Sequence, residues 1–424
     1  MLEIQKHASV AAGAALAGRN LQTTLADIWR RHPKLDAHER GAIQDIAYGV
    51  ARHGGLLHAL LDNLATKEIK EDALRNLMLV ALYQLQFTRA APHAVVDFAV
   101  QSIERARLLH AKGFVNGALR TFLREREARV EQALNSGDEA KYSYPQWWID
   151  KLKIQYNQHV INILDIGNQH PPMTLRVNRR QTTVVEYLQV LQTQDIAATQ
   201  TGPDAITLTQ PISLEKLPGF HDGLVSIQDA SAQFAATLLD VRDGQRVLDA
   251  CAAPGGKAAH ILECADVQLL ALDDDEARLQ PIHENFARLG LQGVVHCTDA
   301  ADVKTWWDKK PFDRILIDAP CSGSGVVKRH PDIKWARRAT DLAKFSKQQA
   351  RLLDALWQCL AQGGKLLYVT CSVFKEENQE QMQAFLTRHP DAASLPLDLP
   401  LTTNGQILPD DIHDGFYYAL VQKN

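Results

Sequence analysis

Val247-Leu248-Asp249-Ala250-Cys251-Ala252-Ala253-Pro254-Gly255-Gly256-Lys257 is the stretch that decides the fold of this chain. Val247 to Ala250 reads as a short buried strand, the loop after it holds two neighbouring glycines, and a helix is expected over Ala258 to Glu263. The same alternation continues downstream. Strands are expected at Leu269 to Leu272, Val294 to Cys297, Ile315 to Ile317 and Leu366 to Val369, with helices at Glu276 to Leu289 and Ala343 to Ala361. Strand and helix in strict alternation predict an open parallel sheet covered on both faces, a Rossmann-like α/β domain. Gly415 to Val421 reads as a closing strand.

In such a sheet a nucleotide-like ligand sits beyond the carboxyl end of the first strand. Glycines there let the backbone approach it closely. The loop is not a phosphate-binding Walker sequence, because Cys251 stands at its first glycine and Ala258 at its Ser/Thr. Nor is it GxGxxG. A cofactor without a pyrophosphate fits, and S-adenosylmethionine is one. Cys251, Ala252, Ala253, Pro254, Gly255, Gly256 and Lys257 are therefore the expected cofactor loop. Asp273 ends the second strand, where a carboxylate can accept from ribose hydroxyls. Asp274 and Asp275 leave the choice within that trio open. Asp299 follows the third strand and faces the adenine side.

Two cysteines stand at the same edge: Cys321 in Asp318-Ala319-Pro320-Cys321-Ser322-Gly323-Ser324-Gly325, and Cys371 in Thr370-Cys371-Ser372. Each directly follows an expected strand. One reaction that needs a thiol here is methylation of cytosine C5, a carbon too weakly nucleophilic to take a methyl group unaided. Addition of a thiolate at C6 makes C5 enamine-like. A free cysteine, with a pKa of about 8.5, is mostly protonated at neutral pH. Nearby positive charge is required, and Lys257 is a candidate source. Cys264, Cys297 and Cys359 read as small buried hydrophobes.

The rest of the chain divides by texture. Residues 1–138 read as all-helical, with apolar positions at helical spacing, as at Leu74, Leu77, Met78, Ala81, Leu82 and Leu85. Asn135-Ser136-Gly137-Asp138 breaks that pattern. Residues 139–235 read as a small α+β subdomain, and 236–424 as the Rossmann-like domain. Of 424 residues, 46% are hydrophobic and 23% charged, which fits a globular protein. No apolar run reaches the ~18 residues a bilayer demands. Six cysteines, none in CxxC, argue for a reducing cytoplasmic setting and against a zinc site. Net charge is −4, but residues 1–135 hold 18 Lys/Arg against 14 Asp/Glu, a mildly basic balance suited to phosphate contact.

Taken together, DACAAPGGK (Asp249 to Lys257), DAPCSGSG (Asp318 to Gly325), RHPDIKW (Arg329 to Trp335) and TCSVFKEEN (Thr370 to Asn378) resemble the Sun/RsmB-type ribosomal RNA cytosine-C5 methyltransferases. Glu39-Arg40-Gly41 to Arg52 and Phe114 to Arg120 resemble the NusB-like helical domain that bacterial members carry. Thr174 to Asn178 and Gln228 to Gln233 resemble segments just ahead of the catalytic core. The resemblance implies an enzyme that uses S-adenosylmethionine to methylate 16S ribosomal RNA; a monomer without metal is expected. It assigns Cys371 as the nucleophile and Cys321 to C5-proton removal or product release. Asp318 would bond the cytosine edge and, with Lys257, line the site. Thr298-Asp299 departs from the usual Gly-Asp.

A cytosine inside a helix is out of reach, so the target base is expected to be unpaired or flipped outward. Lys328, Arg329 and Lys334, in a basic cluster with His330, Arg337 and Arg338, are expected to contact RNA. Arg176 and Asn178 are expected to extend that path, beside Arg179 and Arg180. In the helical domain, Asn116 and Arg120 share a helix face. Two rival readings are a transfer RNA substrate and a non-catalytic assembly factor. The thiol pair argues against the latter, since a binding protein needs none.

Overall fold

The computed structural model describes residues 2–399 and 404–424. The chain folds as two compact units. One reaches to Gln169 and takes in Val327–Ala339; the other comprises His170–Val326 and Thr340–Asn424.

The first unit is helical. Leu2–Leu16 packs on Ala37–Arg52 and Asp72–Phe87, through Ala8, Ala11, Ala12 and Ala15, all buried. Small side chains allow close approach. At Gly49 an added Cβ would lie 1.9 Å from the Tyr83 ring, so only glycine fits there.

Val327–Ala339, the segment that follows the Cys321 loop in sequence, belongs to this helical unit. Its short helix Ile333–Ala336 is anchored by polar contacts. Asp332 accepts from the Leu21 backbone N–H (3.1 Å) at the start of helix Leu21–Arg31. Lys334 Nζ donates to the Arg52 carbonyl (2.7 Å) and to Asn168 Oδ1 (2.8 Å), over the Tyr144 ring. Trp335 Nε1 donates to the Ala51 carbonyl (2.7 Å), and Arg52 donates to the Lys328 carbonyl (3.0 Å). This corrects the expectation for two lysines. Lys334 is fully buried, taken up by the Arg52 carbonyl, Asn168 and the Tyr144 ring, and Lys328 is nearly so. Burial holds the Lys334 pKa well below the usual lysine range.

The second unit holds two sheets. β1 (Met173–Val177), β2 (Ala198–Gln200), β3 (Ala205–Leu208) and β4 (Val225–Ile227) form an antiparallel sheet in the order β2-β3-β1-β4. The larger sheet comprises β5 (Arg246–Asp249), β6 (Gln268–Asp273), β7 (Val294–Cys297), β8 (Phe312–Asp318), β9 (Leu360–Thr370), β10 (Ala392–Leu395), β11 (Gln406–Ile407) and β12 (Phe416–Lys423). Its order is β10-β12-β9-β8-β5-β6-β7, with β11 beside β12. β5 to β9 run parallel, and β12 joins β9 antiparallel. Both faces are covered. Leu316 and Leu367 pack into one apolar cluster, while Ile315, Ile317, Leu366 and Tyr368 pack into the other, as alternation along a strand dictates.

The Rossmann-like architecture expected from the sequence is present. The chain runs β5, β6, β7 to one side, then returns to place β8 and β9 on the other. The reversal between β5 and β8 opens a crevice at their carboxyl ends. The expected helix ending at Ala361 stops at Trp357, and β9 starts earlier than expected, at Leu360. There Phe312 N–H donates to the Cys359 carbonyl (2.8 Å), so sheet pairing captures residues whose spacing reads as helical. β2, β10 and β11 were not expected; each is short and has little apolar pattern.

Lys334→Ala should lower stability by about 2–3 kcal/mol, because two buried acceptors lose their donor. Thermal denaturation should register this, while the salt dependence of RNA binding stays unchanged. A flattened salt slope without destabilisation would place the ammonium on phosphate instead.

Candidate active site

The first loop of the crevice is held from several sides. Gly255 sits at φ +96°, and a Cβ there would lie 3.1 Å from Ile282 Cα, so glycine is required at the start of helix Gly256–Cys264. The Ala253–Pro254 peptide is cis. Ala253 N–H donates to Asp273 Oδ2 (3.0 Å), and Arg278 donates to the Ala253 carbonyl (3.1 Å). Within the acidic trio, Asp273 is thus the buried member against the loop. Asp275 caps helix Glu276–Leu289, and Asp274 is exposed. Asp299 lies past β7, pairs with Arg351 (2.7 Å) and accepts from Ala301 N–H (2.9 Å).

Asp249, at the end of β5, is fully buried, and neither carboxylate oxygen has a hydrogen-bond partner among the described residues. Burial, with the Asp318 carboxylate next, raises its pKa to about 7. The quoted loop began with this residue, yet sequence reasoning did not place it in the site. Its signal was an acid closing an apolar strand. A buried carboxylate without a partner favours a cation beside it. S-adenosylmethionine carries both a sulfonium and an ammonium, and the glycine loop leaves room for close approach, so these residues fit that group.

Lys257 Nζ donates to Asp318 Oδ2 (2.6 Å) across the ends of β5 and β8, and lies over the Phe416 ring. Burial works against the ammonium, but Asp318, Cys371 and Asp249 outweigh it and raise its pKa. Lys257 therefore stays charged. Cys321 Sγ and Cys371 Sγ lie 3.4 Å apart, both partly buried. One hydrogen bond links the two sulfurs, in which either can donate, and that bond together with burial pushes the Cys321 thiol well up. Burial and three or more carboxylates likewise keep Cys251 neutral, a poor nucleophile.

Beneath the thiols lies a polar network that sequence reasoning also left unplaced. Ser322 and Ser324 hydroxyls meet that of Ser372 (3.1 and 3.0 Å), and Ser372 donates to Glu377 Oε2 (2.5 Å). Thr370 donates to Asn378 Oδ1 (2.6 Å). All are buried, and burial raises the Glu377 pKa against the pull of its hydrogen bonds. Glu377 stands inside TCSVFKEEN, a motif read for Cys371, and no role was assigned to it from the sequence.

Two expected RNA contacts prove internal. Arg176 is fully buried in a bidentate pair with Glu263 (2.9 and 2.7 Å), and also donates to Gln228 Oε1 and the Gly256 carbonyl. It ties β1 to the cofactor-loop helix and has no face left for phosphate. Asn178 is buried and donates to the Gly223 carbonyl (3.0 Å). Arg179 and Arg180 pair with Asp204 and Asp266. In the helical unit Arg120, exposed, donates to Asn116 Oδ1 (2.9 Å) on one face of helix Lys112–Arg124. Arg329 is partly exposed.

A parallel sheet reversing at β5, a glycine loop on its first strand and acids at successive strand ends define an S-adenosylmethionine-dependent methyltransferase. Residues 236–422 match the family described as 16S rRNA methyltransferase RsmB/F. Residues 144–215 match its ferredoxin-like domain, and 4–124 match the NusB family. The ribosomal RNA small subunit methyltransferase B of Vibrio cholerae is 42% identical over 396 residues, 92% of this chain and 91% of that protein. That of Serratia proteamaculans is 40% identical over 98% of this chain and 97% of its own. A solved methyltransferase homolog from Pyrococcus horikoshii, 28% identical, superposes with a TM-score of 0.60 over 68% of this chain and 97% of its own. The chain belongs to the RsmB/F methyltransferase family, and S-adenosylmethionine is its cofactor.

Asp249→Asn should stabilise the cofactor-free protein more at pH 8 than at pH 5. With a folded pKa of about 7 against ~3.9 unfolded, the unfolded chain releases its proton first, so the wild type loses stability as pH rises through that window. Asparagine does not titrate. Thermal denaturation at both pH values reads the difference, and an equal change at both would contradict the buried, partnerless carboxylate.

Proposed function

We propose that this protein transfers a methyl group from S-adenosylmethionine to C5 of a specific cytosine in 16S ribosomal RNA, through a covalent bond between Cys371 and cytosine C6. The observation that carries this reading is the thiol pair, 3.4 Å apart, beside the Lys257–Asp318 ion pair. Methyl transfer to an exocyclic amine or a ribose oxygen needs neither thiol.

When bound, S-adenosylmethionine supplies an electrophilic methyl group on a sulfonium. Cys251 to Lys257, with Asp249, Asp273, Asp299 and Asp318, would hold it. Lys257 lends positive charge to the Cys371 sulfur, which adds as thiolate to C6. The displaced electron pair makes C5 nucleophilic, and C5 takes the methyl group. Asp318 accepts from the cytosine edge and holds the ring in place. In the resolving step C5 loses its proton, the C5=C6 bond re-forms, and Cys371 leaves as thiolate. Cys321 serves that step by removing the proton or by donating to the departing sulfur.

The relatives named above support a small-subunit ribosomal RNA substrate. Asn116, Arg120 and Arg329 are the proposed backbone contacts. No helix among the described residues is long and apolar enough to cross a membrane. We read the enzyme as a cytoplasmic monomer.

Cys371→Ala should lower methyl transfer at least ~10³-fold while leaving cofactor affinity within about twofold. Appreciable turnover would remove the nucleophile assignment. Cys321→Ala should instead trap protein on RNA in a complex that survives denaturing gels, and its absence would leave Cys321 without a resolving role. Arg120→Ala should weaken RNA binding and reduce the salt slope by about 1, measured by filter binding over a salt series.

A further inference from the structure

The two cysteines are held by different means. Cys371 follows β9 by one residue, and that strand is paired to its end on one side, Tyr417 opposite Thr370, and to Val369, opposite Asp318, on the other. The Cys371 carbonyl also accepts from Gly325 N–H (2.8 Å). Cys321 lies three residues beyond the end of β8, in a loop without strand partners. Backbone bonds hold the far end of that loop, Gly325, to Cys371 and Gly415, while side chains hold the residues beside Cys321. Ser322 N–H, next to Cys321, donates to Glu377 Oε1 (2.8 Å), and Gln349 Nε2 bridges the Pro320 carbonyl (2.9 Å) and the same Glu377 oxygen (3.3 Å). The other oxygen of Glu377 accepts from Ser372 Oγ (2.5 Å), next to Cys371. One fully buried carboxylate thus grips the residue after each cysteine, one oxygen for each loop. It touches neither sulfur.

We propose that Glu377 is a positioning residue that holds the Cys321 loop against Cys371, and that it is needed for the resolving half of the reaction more than for the addition. This rests on the thiol roles given above. Without the carboxylate, Cys371 keeps its strand and its Gly325 contact, so addition to C6 and methyl transfer to C5 can still proceed. Cys321 loses the anchor beside it. Removal of the C5 proton and departure of the Cys371 thiolate then slow, and the C6–sulfur bond persists. A residue that merely stabilised the fold would lower every step, and no adduct would accumulate.

The test uses the full chain, S-adenosylmethionine and unmodified 16S ribosomal RNA. Glu377→Gln preserves size and can still accept from Ser322 N–H, so it should lose turnover roughly 10-fold; Glu377→Ala should lose roughly 100-fold. Both should bind cofactor within about twofold of wild type by calorimetry. Both should raise the fraction of protein carried with RNA on a denaturing gel, alanine more than glutamine. Should Glu377→Ala prove insoluble, the glutamine variant alone decides the matter by adduct against turnover. Wild-type turnover in Glu377→Gln with no adduct would overturn the inference. So would lowered turnover without adduct, provided Cys321→Ala traps RNA in the same assay. If Cys321→Ala traps none, the reading of the thiol pair fails first.

Discussion

Two thiols at 3.4 Å are the contact on which the rest of the site depends. They can approach so closely because β8 and β9 are adjacent parallel strands, about 4.8 Å apart, that end together at the same edge. Cys371 directly follows β9 and Cys321 lies in the loop after β8, so the paired ends of the two strands bring both cysteines to one edge. Ile315 to Ile317 and Leu366 to Thr370 are buried between two apolar clusters, which holds both strands within the sheet. Hydrophobic packing therefore sets the strands, and the serine and glutamate network below them sets the last ångström.

Electrostatics then divides the labour. Asp249, Asp273 and Asp318 gather carboxylate at the ends of three strands, with Lys257 as the ammonium paired to Asp318. Such a concentration of like charge is unfavourable in an empty crevice. A cationic cofactor relieves it, which gives affinity without a phosphate-binding loop. Lys257, kept charged by Asp318, supplies positive charge beside the thiol pair, and a hydrogen bond links the two sulfurs.

Much of this was legible in the chain. Periodicity and glycine placement marked the strands that end in Asp249 and Asp318 and those that lead into Cys321 and Cys371, because strands buried on both faces write long apolar runs. The short edge strands left no such trace. Nor could charge patterns tell a solvated side chain from an internal one. Arg176 and Lys334 read as RNA contacts, yet Glu263 and the Gly256 carbonyl enclose the first, and the Arg52 carbonyl, Asn168 and Tyr144 enclose the second. The partners just named lie eighty or more residues away in sequence, and no local spacing encodes such pairing. Glu377 lay within a quoted motif yet drew no role, because nothing local shows that its charge turns inward.

Cytosine C5 of ribosomal RNA is the target proposed for this thiol pair. Methyl transfer from radiolabelled S-adenosylmethionine to unmodified 16S ribosomal RNA and, separately, to bulk transfer RNA, followed by bisulfite mapping, tests it most directly. Label confined to 5-methylcytosine at one 16S position is the result this account requires. Label in transfer RNA alone, or on any atom other than cytosine C5, would contradict it.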